Sequence, residues 1–166
     1  MARQHRRRGG DRDKNLVGFL IGEVHYAVDI RRVKEIIRPL GVVPLPHPPP
    51  AVVGVADHRG EVVPILDVRT RFGLAELAIT RRTKWILVML PGKTVGLVVD
   101  AITEVFAAGE EDQRSVPSIG MGDAARGITA VFGHRGSLVF VLDIDRIGAA
   151  AELVDVSSMS SVRGRP

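Results

Sequence analysis

Five histidines, His5, His25, His47, His58 and His134, are the residues most able to bring chemistry to this chain. No two stand at a spacing that would turn two imidazoles toward one ion, and no carboxylate pattern joins them, so no metal site is expected. Ser115, Ser118 and Ser137 lack the Gly-x-Ser-x-Gly elbow that presents a nucleophile. Neither a Walker loop nor a Gly-x-Gly-x-x-Gly turn is there to cradle a phosphate. The chain has no cysteine, which removes disulfides, thiol nucleophiles and Cys-ligated zinc or iron–sulfur centres together. Asp67 and Asp143 would have to converge in one pocket to work as acid and base. Each instead ends an apolar run just before a short helical pattern, the place of a capping carboxylate. Asp143-x-Asp145 alone is too short a pattern to predict a metal. Arg59 and Arg135 lie in His-Arg-Gly turns, where Gly60 and Gly136 permit positive φ. Each arginine is expected to be exposed, or paired with a carboxylate such as Glu35 or Glu104. This inventory predicts a binding module without a cofactor rather than an enzyme.

The elements that must position these residues are mostly strands. The chain holds 24 valines and 12 isoleucines, and β-branched side chains favour the pleated sheet. Residues 16–21 and 25–30 around Gly22-Glu23 read as a hairpin. Residues 31–37 place Val33, Ile36 and Ile37 at helical spacing and predict about two turns of helix, limited by Pro39. The proline-rich stretch 42–50 must be extended, edge-like or loop. Residues 52–57 and 61–66 flank the first His-Arg-Gly as a second hairpin, and 67–72 form a short helical turn. After a polar connector, 74–82, strands are expected at 84–90 and 94–99, then a strand or turn at 102–106. Residues 110–123 are rich in turn formers. Residues 128–132 and 137–142 flank the second His-Arg-Gly, 143–147 form a short turn, and helix can begin at 149–154.

The pattern starts again at its midpoint because the chain contains a duplication. Residues 19–36 align without a gap on residues 88–105: apolar faces apolar at Phe19/Val88, Val28/Leu97, Val33/Ile102 and Ile36/Val105, and Glu35 meets Glu104. HRGEVVPILD from His58 likewise aligns on HRGSLVFVLD from His134. Two copies of a unit of this length are too long and too few for a solenoid. Two small β-barrels that share an interface fit better, since each alone would bury a thin core.

Charge excludes further classes. The chain carries 23 Lys+Arg against 19 Asp+Glu, net +4. Residues 1–15 alone hold six basic and two acidic residues, also +4, so the remaining 151 residues balance at 17 of each sign. A nucleic-acid binder is expected to build its basic face into the fold. Here the excess sits in an arm expected to be disordered and solvated. The longest purely apolar run, 85–90, is too short to span a bilayer, and no apolar stretch precedes Leu16 as a signal peptide would require.

The segments FLIGEVHYAVDIRRVKEII, VVGVADHRGEVVPILDVRTRFG, TVGLVVDAITEV and LVFVLDIDRI follow one another between about Leu16 and Ile147. In this order they resemble the bacterial chemotaxis coupling protein family, CheW. The resemblance implies an all-β fold of two five-stranded SH3-like β-barrels with short helical turns. With the duplication, it predicts a disordered tail over 1–15, a first copy over about 16–75, a second over 84–147, and a partly helical or disordered tail over 148–166. Barrels of this kind can exchange terminal strands, so copies need not equal spatial subdomains.

The resemblance also implies a function, that of a non-catalytic cytoplasmic scaffold. Such a scaffold couples chemoreceptors (methyl-accepting chemotaxis proteins) to the regulatory domain of a CheA-type histidine kinase, in arrays and rings at the inner membrane. By position, receptor-facing residues fall on Val33, Glu35, Gly54 and Arg59. Val33 would supply apolar contact and Glu35 with Arg59 a polar rim. Only the first copy would present its turn to the receptor groove. Kinase pairing on the first barrel would use an exposed apolar strip of Val42, Val43 and Leu45. The family commonly carries Asn-Leu-Arg-Gly where this chain has Asp57-His58-Arg59-Gly60, and His58 is expected to face solvent.

Two other readings compete. A relative of the kinase's own regulatory domain would be part of an enzyme, but no phosphotransfer or catalytic segment is visible and the chain begins at a methionine. A small β-barrel nucleic-acid binder would need stacking aromatics, and five Phe, one Tyr and one Trp on a neutral body do not provide them.

Overall fold

A computed structural model describes residues 13–76, 78–115, 127–152 and 154. The first expected hairpin is present as β1 (Lys14–Ile21) and β2 (Val24–Asp29), with Phe19 opposite Tyr26. Lys14 and Asn15, expected in the tail, already pair with Ala108 and Ala107. Residues 1–12, and with them most of the arm expected to be disordered, lie outside the described residues.

The helix expected over 31–37 does not form. Asp29 accepts a hydrogen bond from the Arg31 N–H and opens a single 3-10 turn, Ile30–Arg32. Val33–Ile37 is then strand β3. Three of its five residues are β-branched and lose rotamer freedom in a helix, while a ladder against a later strand is available to them. The rest follows as β4 (Val52–His58), β5 (Glu61–Asp67), α1 (Val68–Arg71), β6 (Lys84–Leu90), β7 (Lys93–Val99) and β8 (Ala101–Ala108). A 3-10 turn (Glu110–Asp112), β9 (Gln113–Arg114), β10 (Ile128–His134), β11 (Ser137–Leu142) and α2 (Ile144–Glu152) complete the described order.

The strands form two sheets. One runs β8-β1-β2-β11-β10-β9 and the other β3-β6-β7-β5-β4. The first has six strands rather than five because the two-residue β9 pairs with β10. Neither sheet is drawn from one sequence copy. The β1–β2 hairpin lies between β8 and β11 of the second copy, and β6–β7 lies between β3 and β5 of the first. The exchange is symmetric: β2 meets β11 in parallel, and β7 meets β5 in parallel.

Three cores result. One fills the six-stranded subdomain around Leu16, Ala27, Ala130, Phe132 and Val141. A second fills the five-stranded subdomain around Val63, Ile65, Trp85 and Leu87. The largest lies between them and takes Val17, Phe19 and Ile21 from β1, Ile86 and Val88 from β6, and Val95, Leu97 and Val99 from β7. The exchanged strands therefore bury both faces: Trp85 and Leu87 point one way, Ile86 and Val88 the other. That is why they read as unbroken apolar runs rather than alternating ones.

Ala151 and Val154, beyond Ile147, belong to this core, and the rest of the expected tail, from residue 155 on, lies outside the described residues. The two short elements expected at 143–147 and 149–154 are one helix, α2, and Ala151 and Val154 are buried in the shared cluster. The Lys93 ammonium donates to the carbonyls of Ala151 and Val154, and Arg32 ties the start of α2 through Asp145 at 2.7 Å.

Candidate partner-binding site

The β4–β5 and β10–β11 loops are each two residues long, and both residues of each have positive φ: Arg59 at 53° with Gly60 at 84°, and Arg135 at 50° with Gly136 at 78°. This is the primed turn whose twist matches the flanking strands. Glycine adopts it freely, whereas an arginine in the left-handed region costs about 1–2 kcal/mol. Both copies keep the arginine, and in both it is anchored. The Arg59 guanidinium donates to Glu35 Oε1 at 3.1 Å, and His58 Nε2 lies 3.0 Å from Glu35 Oε2. In the second copy His134 Nε2 lies 2.6 Å from Glu104 Oε1, and Arg135 approaches Glu104 Oε2 at 3.5 Å.

Each glutamate comes from the edge strand, β3 or β8, that leads away from an exchanged hairpin. It reaches the turn of the hairpin that its own copy forms later. The pairing of each arginine with Glu35 or Glu104 is as expected. The role of the histidines is not: His58 keeps only 12% of its side chain exposed and bridges to Glu35. The recurrence of Glu and His-Arg-Gly together in both copies was the available signal for this contact.

The four positions expected to face a receptor are therefore not alike. Glu35 and Arg59 form one polar cluster, with Arg59 largely exposed at the turn. Val33 packs half-buried against the shared core. Gly54 is buried at a bulge in β4, and a Cβ there would strike the Val43 carbonyl and the Val42 side chain. Its role is to admit the 42–43 segment, which bonds through the Val43 and Val55 backbones at 2.8 and 2.9 Å.

Of Val42, Val43 and Leu45, the strip expected to be exposed, only Val43 is, by 55%. Val42 packs on the core of the five-stranded subdomain and Leu45 on the shared core. A single bridge between Val43 and Val55 holds the segment to β4, and Val42 and Leu45 turn inward on either side of the exposed Val43 and Pro44.

The aspartates at the strand ends are caps, as expected. Asp67 accepts from the Arg69 N–H at 2.9 Å and Asp143 from the Asp145 N–H at 3.0 Å. Asp57 accepts from the Gly60 N–H at 2.9 Å. Two carboxyls are held below the usual carboxylate range. Asp29 is lowered first by the hydrogen bond from the Arg31 side chain, and Asp145 by that from Arg32. Among the described residues no group of three or more His, Asp or Glu is gathered to hold a metal ion, and no helix is long and apolar enough to cross a membrane.

Comparison with known proteins gives one answer. The family model for the CheW-like domain matches residues 15–152. The chain is 31% identical over 153 residues to a chemotaxis protein CheW of Treponema pallidum, covering 90% of each chain. It is 30% identical to that of Rhizobium meliloti, covering 91% of this chain and 96% of the relative. Among solved structures it is similar to the scaffolding protein TtCheW of Thermoanaerobacter tengcongensis, with a TM-score of 0.72 at 25% identity, over 79% of this chain and 89% of that one.

Proposed function

The chain belongs to the CheW-like family, and from that premise we propose that it is a non-catalytic cytoplasmic adaptor coupling chemoreceptor tips to the regulatory domain of a CheA-type histidine kinase. The observation that carries the receptor half of this reading is the anchored turn. Arg59 stands at the tip of a rigid primed turn with 77% of its side chain exposed, and Glu35 holds its guanidinium from the edge strand. A strained residue that still projects a charged group is well suited to contact a partner. Val43, exposed on the segment that Gly54 admits, is the apolar contact offered to the kinase. Ring-like association through CheW-type neighbours and residence in membrane arrays belong to the same reading.

Mixing the chain with receptor-tip and kinase regulatory fragments of the same cell should give a ternary complex by size. Arg59→Glu should leave the fold nearly intact, since an exposed pair contributes about 0–1 kcal/mol. It places two like charges at the turn, which at an interface costs several kcal/mol. Receptor binding should fall well over tenfold with kinase binding preserved, and Arg135→Glu should do much less. Equal losses from both reversals would refute the asymmetry between the copies.

A further inference from the structure

The exchanged fold allows the open ends of the two subdomains to be compared residue by residue. In the five-stranded subdomain the end is shut. Leu87 is fully buried there, and across it the Lys34 ammonium bonds Glu61 at 3.1 Å and the Thr94 hydroxyl at 3.4 Å. The duplication places Gly18, Thr103, Ser137 and His25 at the positions of Leu87, Lys34, Glu61 and Thr94. Thr103 and Phe106 close on Gly18 where the leucine would stand, a Cβ there lying 2.5 Å from the Thr103 hydroxyl, but the residues replacing the Lys–Glu bolt are too short to meet. A half-enclosed cavity of about 130 Å³ remains between β1, β2, β8 and β11.

Its chemistry is specific. One wall is the Phe106 ring stacked on His134, centroids 4.0 Å apart and planes 14° from parallel. Tyr26 lies on another side. Glu104 is engaged by His134 and Arg135, so the lining carries no net charge with the histidines neutral. The side chains of His25 and Ser137, by contrast, bond no other described residue. Arg135 lines the cavity with 77% of its side chain exposed.

We propose that this cavity is a socket for one phenolic side chain, a tyrosine carried by a protein partner. The volume is on the scale of the cavities of about 150 Å³ that take up a benzene ring. The stacked wall suits the face of an aromatic ring. The hydroxyl of a phenol satisfies His25 or Ser137, which a purely apolar occupant would leave unpaired. The exposed arginine gives the partner a polar contact beside the aromatic anchor, and tyrosine and arginine are among the residue types richest in binding hot spots. This surface is separate from the Glu35–Arg59 turn and does not depend on the coupling function.

The test is a titration of the full chain with p-cresol, followed through the backbone amides of Gly18, His25 and Ser137 by NMR, with toluene as the control. Saturable shifts are expected with p-cresol, and binding weaker by roughly fivefold with toluene, the effect of one lost hydrogen bond. A double variant, Thr103→Lys with Ser137→Glu, rebuilds the bolt of the other subdomain and should abolish the shifts. The pair His25→Leu with Ser137→Val, which removes both hydrogen-bond partners, stands in for it if it misfolds and should bring p-cresol down to the affinity of toluene. A short peptide with one central tyrosine should shift the same amides, its phenylalanine counterpart far less. No saturation up to the solubility of p-cresol, equal binding of toluene, or unchanged binding by a folded variant would overturn the socket. Binding of p-cresol without binding of the tyrosine peptide would overturn the partner assignment.

Discussion

Asp100 joins three segments that the duplication places far apart. Its carboxylate accepts from the Gly22 N–H and from Arg69 Nη1, both at 2.6 Å, and its own N–H donates to the Leu20 carbonyl at 3.0 Å. Gly22 is the turn of the exchanged β1–β2 hairpin, Arg69 lies on α1 of the first copy, and Asp100 links β7 to β8. The Arg69 and Asp100 side chains are 15% and 22% exposed. That is drier than a surface pair worth about 0–1 kcal/mol and wetter than a buried pair whose disruption costs about 3–5 kcal/mol. Asp100→Ala should therefore cost about 2 kcal/mol, because it strands both the guanidinium and the turn amide. In a domain of this size that lowers Tm by about 4–8 °C. Thermal unfolding followed by circular dichroism measures it, and hydrogen exchange at Gly22 should accelerate in parallel. Combined with Arg69→Ala, the cycle should show coupling of at least about 1 kcal/mol. A Tm within about 1 °C of the parent, or strictly additive single changes, would refute the view that this carboxylate clamps the exchanged hairpin.

Val43→Asp should fold, since its side chain is more than half exposed, with a stability change within about 0.5 kcal/mol in urea. Val42→Asp should lose several times more, because its side chain meets a core. If Val43→Asp folds and binds the kinase fragment as the parent does, the kinase assignment is wrong. On acidification, Asp29 and Asp145 lose their partners' stabilisation. Their folded carboxyls titrate below the ordinary value, so their contribution is complete above the unfolded value of about 3.9. It disappears as pH falls through the folded value. The variant Asp29→Asn with Asp145→Asn should then show a shallower fall of Tm with pH below about pH 4 at low salt, and parallel slopes would reject the effect.

Much of the site could be read from the residues. The two His-Arg-Gly turns, the matching glutamates and the capping aspartates each rest on contacts within a hairpin or on a short spacing, which sequence patterns report directly. Residues 31–37 misled because Val33, Ile36 and Ile37 satisfy the helical period by accident. What decides their conformation is an edge of β6, some fifty residues later in the chain. The half-burial of Val42 and Leu45 was hidden for a similar reason. Prolines predict an extended segment, but only the bulge at Gly54 brings that segment onto β4.

The exchange of hairpins lies beyond any local pattern. Both copies carry the same apolar rhythm, so β1–β2 would satisfy the sheet of either copy with the same register and the same inward faces. The links that follow the two hairpins distinguish the alternatives. After β2 the Asp29-capped turn hands the chain directly to β3, and after β7 only Asp100 intervenes before β8. The single residue after β7 is shorter than the two-residue loop of a hairpin, and after β2 the 3-10 turn Ile30–Arg32 directs the chain away from its own hairpin rather than back beside it. The next strand instead crosses to the neighbouring sheet, where an equivalent hairpin offers its free edge. Each subdomain then contains the other copy's hairpin, and the largest core lies between them rather than inside either. The duplication thus yields one cooperative body. With shared stability secured in that body, the two copies were free to diverge at their surfaces, so that one open end is bolted by Lys34 and Glu61 while the other remains a cavity beside Gly18.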